Sequence, residues 1–374
     1  MSSPTERVIV HVIGARPNVM KLGPLYHAIK KLENVRQVVV HSGQHYDAPL
    51  VAELFEDFDL PVADHNLSVG SFSPAQQFGE VIIRLSKILE EDPADMVITY
   101  GDVRTTPAAA IAGHHTGAAV VHYEGGLRAF NRVWSEEFHR ISADAYSDLL
   151  FPTEEAARDN AIKERQSDED VYLEGDLLCD AVRMLVERGD IEKLKKQYAL
   201  EDEFIVMTAH HASNVDREET LTKIIDVVEL VAQRKSVVYP VHPRPMSKLK
   251  EYGLLDRLES IKGVTHLPPL RYAEFILLVN ASPVVVTDSG SLGIECQYLK
   301  KPMLFLHNHT ERPGTVESGA VVVTGLDLKK VETELDRALT SGFEITCPDF
   351  LDGYSAERIA KRIDTYLRKR ASTS

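Results

Sequence analysis

VIVHVIGARPNVMK, residues Val8 to Lys21, decides how the rest of the chain is read. Its first half is β-branched and apolar with almost no alternation, as a strand buried on both faces of a parallel sheet should be. It ends at Gly14, which permits a tight turn, and Pro17 is placed to start a helix. A strand, a glycine turn and a helix form the opening unit of a doubly wound α/β fold. Four more runs of the same kind follow: VVVHS (Val38 to Ser42), MVITY (Met96 to Tyr100), AAVVHY (Ala118 to Tyr123) and LLFP (Leu149 to Pro152). Between them PLYHAIKKL (Pro24 to Leu32) and PAQQFGEVIIRLSKILEE (Pro74 to Glu91) read as helices, the second with Ser73 as N-cap.

The pattern then repeats in FIVMTA (Phe204 to Ala209), SVVYPVH (Ser236 to His242), PVVVTDSG (Pro283 to Gly290) and PMLFLH (Pro302 to His307). The charged stretch Gly189 to Glu203 reads as a strandless connection into a second α/β domain. With 374 residues, two domains are expected. Their bounds are 1–185 and 186–352, with a basic amphipathic helix in 353–374. Two doubly wound halves would place a ligand cleft at the carboxyl ends of both sheets.

Composition narrows the function. The net charge of −15, from 42 basic and 57 acidic residues, repels bulk nucleic acid, so an anionic ligand needs a locally basic pocket. No apolar run reaches the roughly 18 residues of a membrane helix, and MSSPTER leads into the first strand without a signal-peptide core. Cys179, Cys296 and Cys347 lack metal-ligand spacing, and a reducing cytoplasm is expected.

The residues that carry chemistry follow strands. Arg16 and Lys21 bring two positive charges to the first helix, either as a phosphate site or as solvated charges. Ser289 and Gly290 end a strand and open a helix whose free N–H groups would suit a phosphate. Glu295, further in, could bind a ribose diol, and Arg312 follows another strand and could reach the same diphosphate. This is neither a Walker A loop nor GxGxxG. Asp102 and Glu124 each follow a strand, and Glu136 and Glu137 open a helix. Such carboxylates serve as helix caps or dipole partners. Crowded at one sheet edge, they would instead raise one another's pKa and act as general acid and base. His210 and His242 end strands of the second half. Catalysis or phosphate contact suits them better than a metal, because no H-x-H or HExxH spacing occurs.

Nine motifs in order resemble the UDP-N-acetylglucosamine 2-epimerases: GARPNVMK, SGQHYD, YGDVRTT, HYEGGLR, EEFHR, TAHHASN, VYPVHPRP, TDSGSLGIE and TERPGTVESG. The resemblance spans nearly the whole chain. It implies a glycosyltransferase-B type fold of two Rossmann-like domains, with a last helix crossing back to the first. It also implies interconversion of UDP-GlcNAc and UDP-ManNAc by elimination of UDP to 2-acetamidoglucal and re-addition, without NAD, another cofactor or a metal. On the matching motifs Asp102, Glu124 and Glu136 take the acid–base roles, and His210 assists at the diphosphate. Arg16, Lys21, His242, Ser289, Gly290, Glu295 and Arg312 hold the substrate. The expected partners are the UDP-sugar and a second copy of the chain in a homodimer, with no nucleic acid and no membrane.

The chain departs from the family pattern at three places. His211-Ala212-Ser213 stands where an arginine and a polar pair are usual, Leu67 to Val81 lacks an arginine, and the Glu124–Glu136 loop is about two residues shorter than usual. Both arginines help bind a second, activating UDP-GlcNAc in many bacterial members, so conversion without that activator is expected here. Gly125-Gly126 resembles the hydrolysing branch, which releases ManNAc and UDP, whereas the GARP start and EEFHR favour the non-hydrolysing one. A 2-epimerase of a modified UDP-HexNAc, a glycosyltransferase of the same fold and a UDP-sugar binding protein remain the other readings.

Overall fold

The computed structural model describes residues 6–43, 48–310 and 312–373. The chain divides into two compact units, 1–181 with 350–374, and 182–349. The first is built on a six-stranded parallel sheet of β1 (Arg7–Ile13), β2 (Val35–His41), β3 (His65–Asn66), β4 (Met96–Tyr100), β5 (Ala119–Tyr123) and β6 (Leu149–Phe151), in the order 3-2-1-4-5-6. The second repeats that topology with β7 (Phe204–Thr208), β8 (Ser236–Pro240), β9 (Val264–Leu267), β10 (Val285–Thr287), β11 (Met303–Phe305) and β12 (Val321–Val323), ordered 12-11-10-7-8-9. This is the Rossmann order in each unit, and it places a switch point between β1 and β4 and another between β7 and β10.

The strands read from the sequence recur within a few residues, because continuous apolar runs are what a sheet covered on both faces requires. Every residue of β4, β5 and β7 is buried. The helix Pro74–Glu91 starts with Ser73 as its N-cap, as its sequence predicts. Two details have physical causes. The readings at Pro17 and at Pro24 to Leu32 join in one helix, Arg16–Ile29, with Pro17 in its first turn, where no N–H is needed, and Pro24 in its interior. The strands β3, β9 and β12 are short, and β3 and β9 are partly exposed, so they carry no long apolar signal. The stretch Gly189 to Glu203 holds the helix Ile191–Tyr198, N-capped by Asp190.

The terminal helix Ser355–Thr373 belongs to the first unit and packs on the helix Arg16–Ile29. Arg7 pairs with its Asp364 at 2.6 Å, and the fully buried Asp180 accepts from the Ser355 and Ala356 N–H groups at 3.1 and 2.8 Å. Burial outweighs those donors and pushes the Asp180 carboxyl up to about 6. The folded chain therefore holds this proton to higher pH than the unfolded one, where a carboxyl titrates near about 3.9. Stability from this group is full below about pH 4 and is lost as the pH rises to about 6. Asp180→Asn removes the ionisation. Relative to wild type, its unfolding free energy should rise by about 2–3 kcal/mol across that window. Urea melts at each pH check this, and parallel curves would contradict it.

Candidate active site

At the switch point of the first sheet, β1 runs into Gly14 and the helix Arg16–Ile29, while β4 runs into Gly101 and Asp102. Asn18 ties the two together. Its Oδ1 accepts from the Gly14 and Ala15 N–H groups at 3.0 Å each, and its Nδ2 donates to the Tyr100 carbonyl at 3.1 Å. Gly14 is required by packing: a Cβ there would lie 2.3 Å from Thr105 Oγ1. Arg16 begins the helix with its Nε buried and without a hydrogen-bond partner among the described residues.

Glu124 follows β5 in the left-handed region, with φ 75°, a conformation costly for a residue with a side chain. Its carboxylate is buried and paired with the Lys21 ammonium, which is itself buried. Lys21, expected beside Arg16 as a phosphate ligand, thus faces a carboxylate. Asp102 pairs with Arg140, and its carbonyl accepts from His139 Nδ1 at 2.7 Å, both from the helix Ser135–Tyr146. A Cβ on Gly101 would sit 3.1 Å from Glu124 Oε2, so the two carboxylate-bearing loops are neighbours. Each acid faces a cation rather than another acid, which differs from the crowding expected from sequence.

The paired glutamates of the next helix part company. Glu137 is buried and accepts from the Ala129 and Phe130 N–H groups at 2.8 and 3.0 Å, fixing the loop after Glu124. Glu136 is exposed in the first turn and accepts from Ser135 Oγ at 3.1 Å. The structure therefore brings Asp102, Glu124 and Lys21 together and leaves Glu136 at the surface of its helix.

In the second unit the switch point lies between β7 and β10. Asp288, buried after β10, was missed as a functional residue although it stands inside the quoted TDSG. Its carboxylate accepts from the His210 and His211 N–H groups at 2.9 Å and from Asn214 Nδ2 at 3.1 Å. His210 is thereby held after β7 with its ring 4.8 Å from that of His242, the N-cap of the helix Pro243–Glu251. His211 Nδ1 and His307 Nε2 lie 3.2 Å apart, each near Ser213 Oγ. Burial first, and His211 next, hold the His307 imidazole below its ordinary value.

After Ser289 the chain makes a 3-10 turn, Gly290–Leu292, before the short helix Gly293–Tyr298, so one helix becomes two pieces. Ser289 N–H donates to Thr287 Oγ1 at 3.0 Å, and buried Glu295 accepts from Tyr272 at 3.3 Å. Arg312 opens the helix Pro313–Glu317. Gln44 to Asp47 of SGQHYD and Glu311 of TERPGTVESG lie outside the described residues. Among the described residues no group of three or more His, Cys, Asp or Glu is suited to a metal ion.

A model of the UDP-N-acetylglucosamine 2-epimerase family matches residues 27–364. The chain belongs to that family. The UDP-N-acetylglucosamine 2-epimerase of Methanocaldococcus jannaschii is 32% identical over 361 residues, covering 95% of this chain and 98% of that one. The structure of the M. jannaschii UDP-GlcNAc 2-epimerase superposes with a TM-score of 0.85 at 30% identity, covering 96% of this chain and 99% of that one. A family relative from Pseudomonas aeruginosa, a UDP-2,3-diacetamido-2,3-dideoxy-D-glucuronate 2-epimerase, is 30% identical over 96% of this chain and 99% of its own. Within this family's two-unit Rossmann-like fold, both switch points carry the polar residues described above. Three further arginines are engaged with polar partners. Arg84 bonds Glu80 and the Leu67 carbonyl, Arg104 bonds Gln77, and Arg244 pairs with Asp216.

Proposed function

We propose that this protein is a UDP-N-acetylglucosamine 2-epimerase, interconverting UDP-GlcNAc and UDP-ManNAc without a cofactor. The observation that carries this reading is the pair Asp102 and Glu124 on neighbouring loops after β4 and β5, each carboxylate matched to its own cation. The chemistry needs a base at C2 and a leaving diphosphate at C1. As the C2 proton leaves, its electron pair forms the C1–C2 double bond and the C1–O bond breaks toward UDP. Addition of UDP to the 2-acetamidoglucal, with a proton delivered to the opposite face of C2, inverts that centre. Two acids on adjoining loops, paired with Lys21 and Arg140, suit proton removal and return. Glu136, exposed in its own unit, is kept in the acid–base role on its motif alone.

In the second unit His210 is proposed at the diphosphate oxygen, with His242, Ser289, Gly290, Glu295 and Arg312 holding the nucleotide. Arg16 of the first unit is assigned to the diphosphate, supported by its buried, unpartnered Nε. Arg16→Ala and Arg312→Ala should each weaken UDP binding about 10- to 150-fold, the loss of one charge-assisted contact of about 1.5–3 kcal/mol. Isothermal titration with unchanged UDP affinity in both would remove that assignment.

Proton NMR of a reaction started from UDP-GlcNAc tests the function itself. UDP-ManNAc appearing without free ManNAc supports it, and free ManNAc with UDP would establish hydrolysis instead. The same experiment with a UDP-2,3-diacetamido uronic sugar tests the second reading, which the P. aeruginosa relative favours. Started from pure UDP-ManNAc, the reaction should show no lag, because His211 stands for one family arginine and Arg84, Arg104 and Arg244 are otherwise engaged. A homodimer in the cytoplasm completes this proposal. No helix among the described residues is long and apolar enough to cross a membrane.

A further inference from the structure

His122, on β5 and two residues before Glu124, is fully buried and bonded at both ring nitrogens. Nδ1 lies 2.6 Å from Asp144 Oδ1, and Nε2 lies 2.7 Å from the Gly101 carbonyl oxygen. A carbonyl oxygen only accepts, and so does a carboxylate. A neutral imidazole, with one N–H, would leave one of these contacts an acceptor facing an acceptor. The ring therefore needs a proton on each nitrogen.

The surroundings balance that charge. The other oxygen of Asp144 accepts from the Gly126 N–H at 2.9 Å and from Arg128 at 2.6 Å. Burial opposes ionisation of Asp144, but His122, Arg128 and the Gly126 N–H outweigh it and hold its carboxyl below the usual carboxylate range. Arg128 also pairs with Glu164 of the helix Glu155–Arg165. The cluster thus carries two cations and two anions. Beyond Gly101 stand Glu124 and Lys21, themselves a pair.

We propose that His122 is a doubly donating positioning residue, whose two N–H groups clamp the Gly101 carbonyl, next to Asp102, to the Asp144–Gly126 anchor that holds the loop after Glu124. Gly101 and Gly126 both have positive φ, 67° and 80°, so these loop ends are held in conformations that the clamp secures. A shift of either would move one carboxylate relative to the other. A misplacement of about 1 Å can cost on the order of 10²-fold in rate. The effect on turnover rests on the acid–base assignment above, whereas the charge state of His122 does not.

Nitrogen-15 NMR of the full-length protein with labelled histidine tests the charge, His122 being assigned by the signals lost in His122→Gln. The expected spectrum has both His122 nitrogens protonated. A neutral single-tautomer ring overturns the proposal. Asp144→Asn tests the positioning role. It removes the anion that one N–H of the ring meets, so the clamp on the Gly101 carbonyl loosens. Turnover should then fall at least about tenfold while KM changes less than about twofold. A smaller loss of turnover, or a KM raised in proportion, would overturn the role. If wild type turns over no UDP-sugar, the functional reading fails while the NMR result still decides the charge. If Asp144→Asn does not fold, the wild-type spectrum decides alone.

Discussion

Replacing Glu124 by glutamine should cut turnover by about 10²–10⁴-fold, the usual contribution of a positioned proton-transfer group. The amide keeps the shape of the carboxylate and cannot take or return a proton. The effect should appear in kcat, with UDP binding little changed, because the proposed nucleotide contacts lie elsewhere. Asp102→Asn should act alike. Loss of deuterium wash-in at C2 in heavy water would identify the failed step as proton transfer. The structure adds a consequence for stability. Lys21 is buried against Glu124, so the glutamine leaves an ammonium without its counter-charge, which costs about 3–5 kcal/mol when a buried pair is broken. Glu124→Gln should therefore fold but melt lower, and the double variant with Lys21→Met should recover stability without recovering turnover. Near wild-type rates in both Glu124→Gln and Asp102→Asn would remove the acid–base assignment.

Gly126→Ala should be the most damaging single methyl in the first unit. Gly126 has φ 80°, and a Cβ there would lie 2.0 Å from the Ala157 carbonyl oxygen. The left-handed backbone costs about 1–2 kcal/mol for a non-glycine residue. Displacing a helix carbonyl adds about 1–3 kcal/mol of overpacking. A loss of about 2–5 kcal/mol in urea unfolding is expected, with turnover falling further because Gly126 N–H anchors the loop to Asp144. Gly117→Ala is the control. Gly117 has φ 83° but nothing within 4 Å of its Cβ position, so the backbone cost alone, about 1–2 kcal/mol, should remain. Equal losses in the two variants would show that the Ala157 contact contributes nothing.

The amino-acid sequence by itself determined the doubly wound class and the places where chemistry had to lie. Both follow from local information: a run such as Met96 to Tyr100 is buried wherever it pairs, and the residue after a parallel strand emerges at the carboxyl edge. Capping was equally local, with Ser73 and Gln76 three residues apart. The short strands β3, β9 and β12 were illegible because two to four residues carry no period. Glu136 and Glu137 could not be told apart in sequence. One step along a helix turns the side chain by about 100°, and only the packed loop shows which carboxylate it buries. The pairing of Lys21 with Glu124 was illegible because the two stand 103 residues apart. Asp288 read as part of a glycine turn because the N–H groups it holds belong to residues 77 and 78 positions earlier. His122 read as one histidine among 15. Its two ring partners are a carbonyl 21 residues before it and a carboxylate 22 residues after it, which meet only when β4, β5 and the helix Ser135–Tyr146 pack together. Strand and turn formation depend on neighbours in the chain, whereas charge pairing and hydrogen-bond satisfaction depend on neighbours in space, and those were decided by the tertiary structure alone.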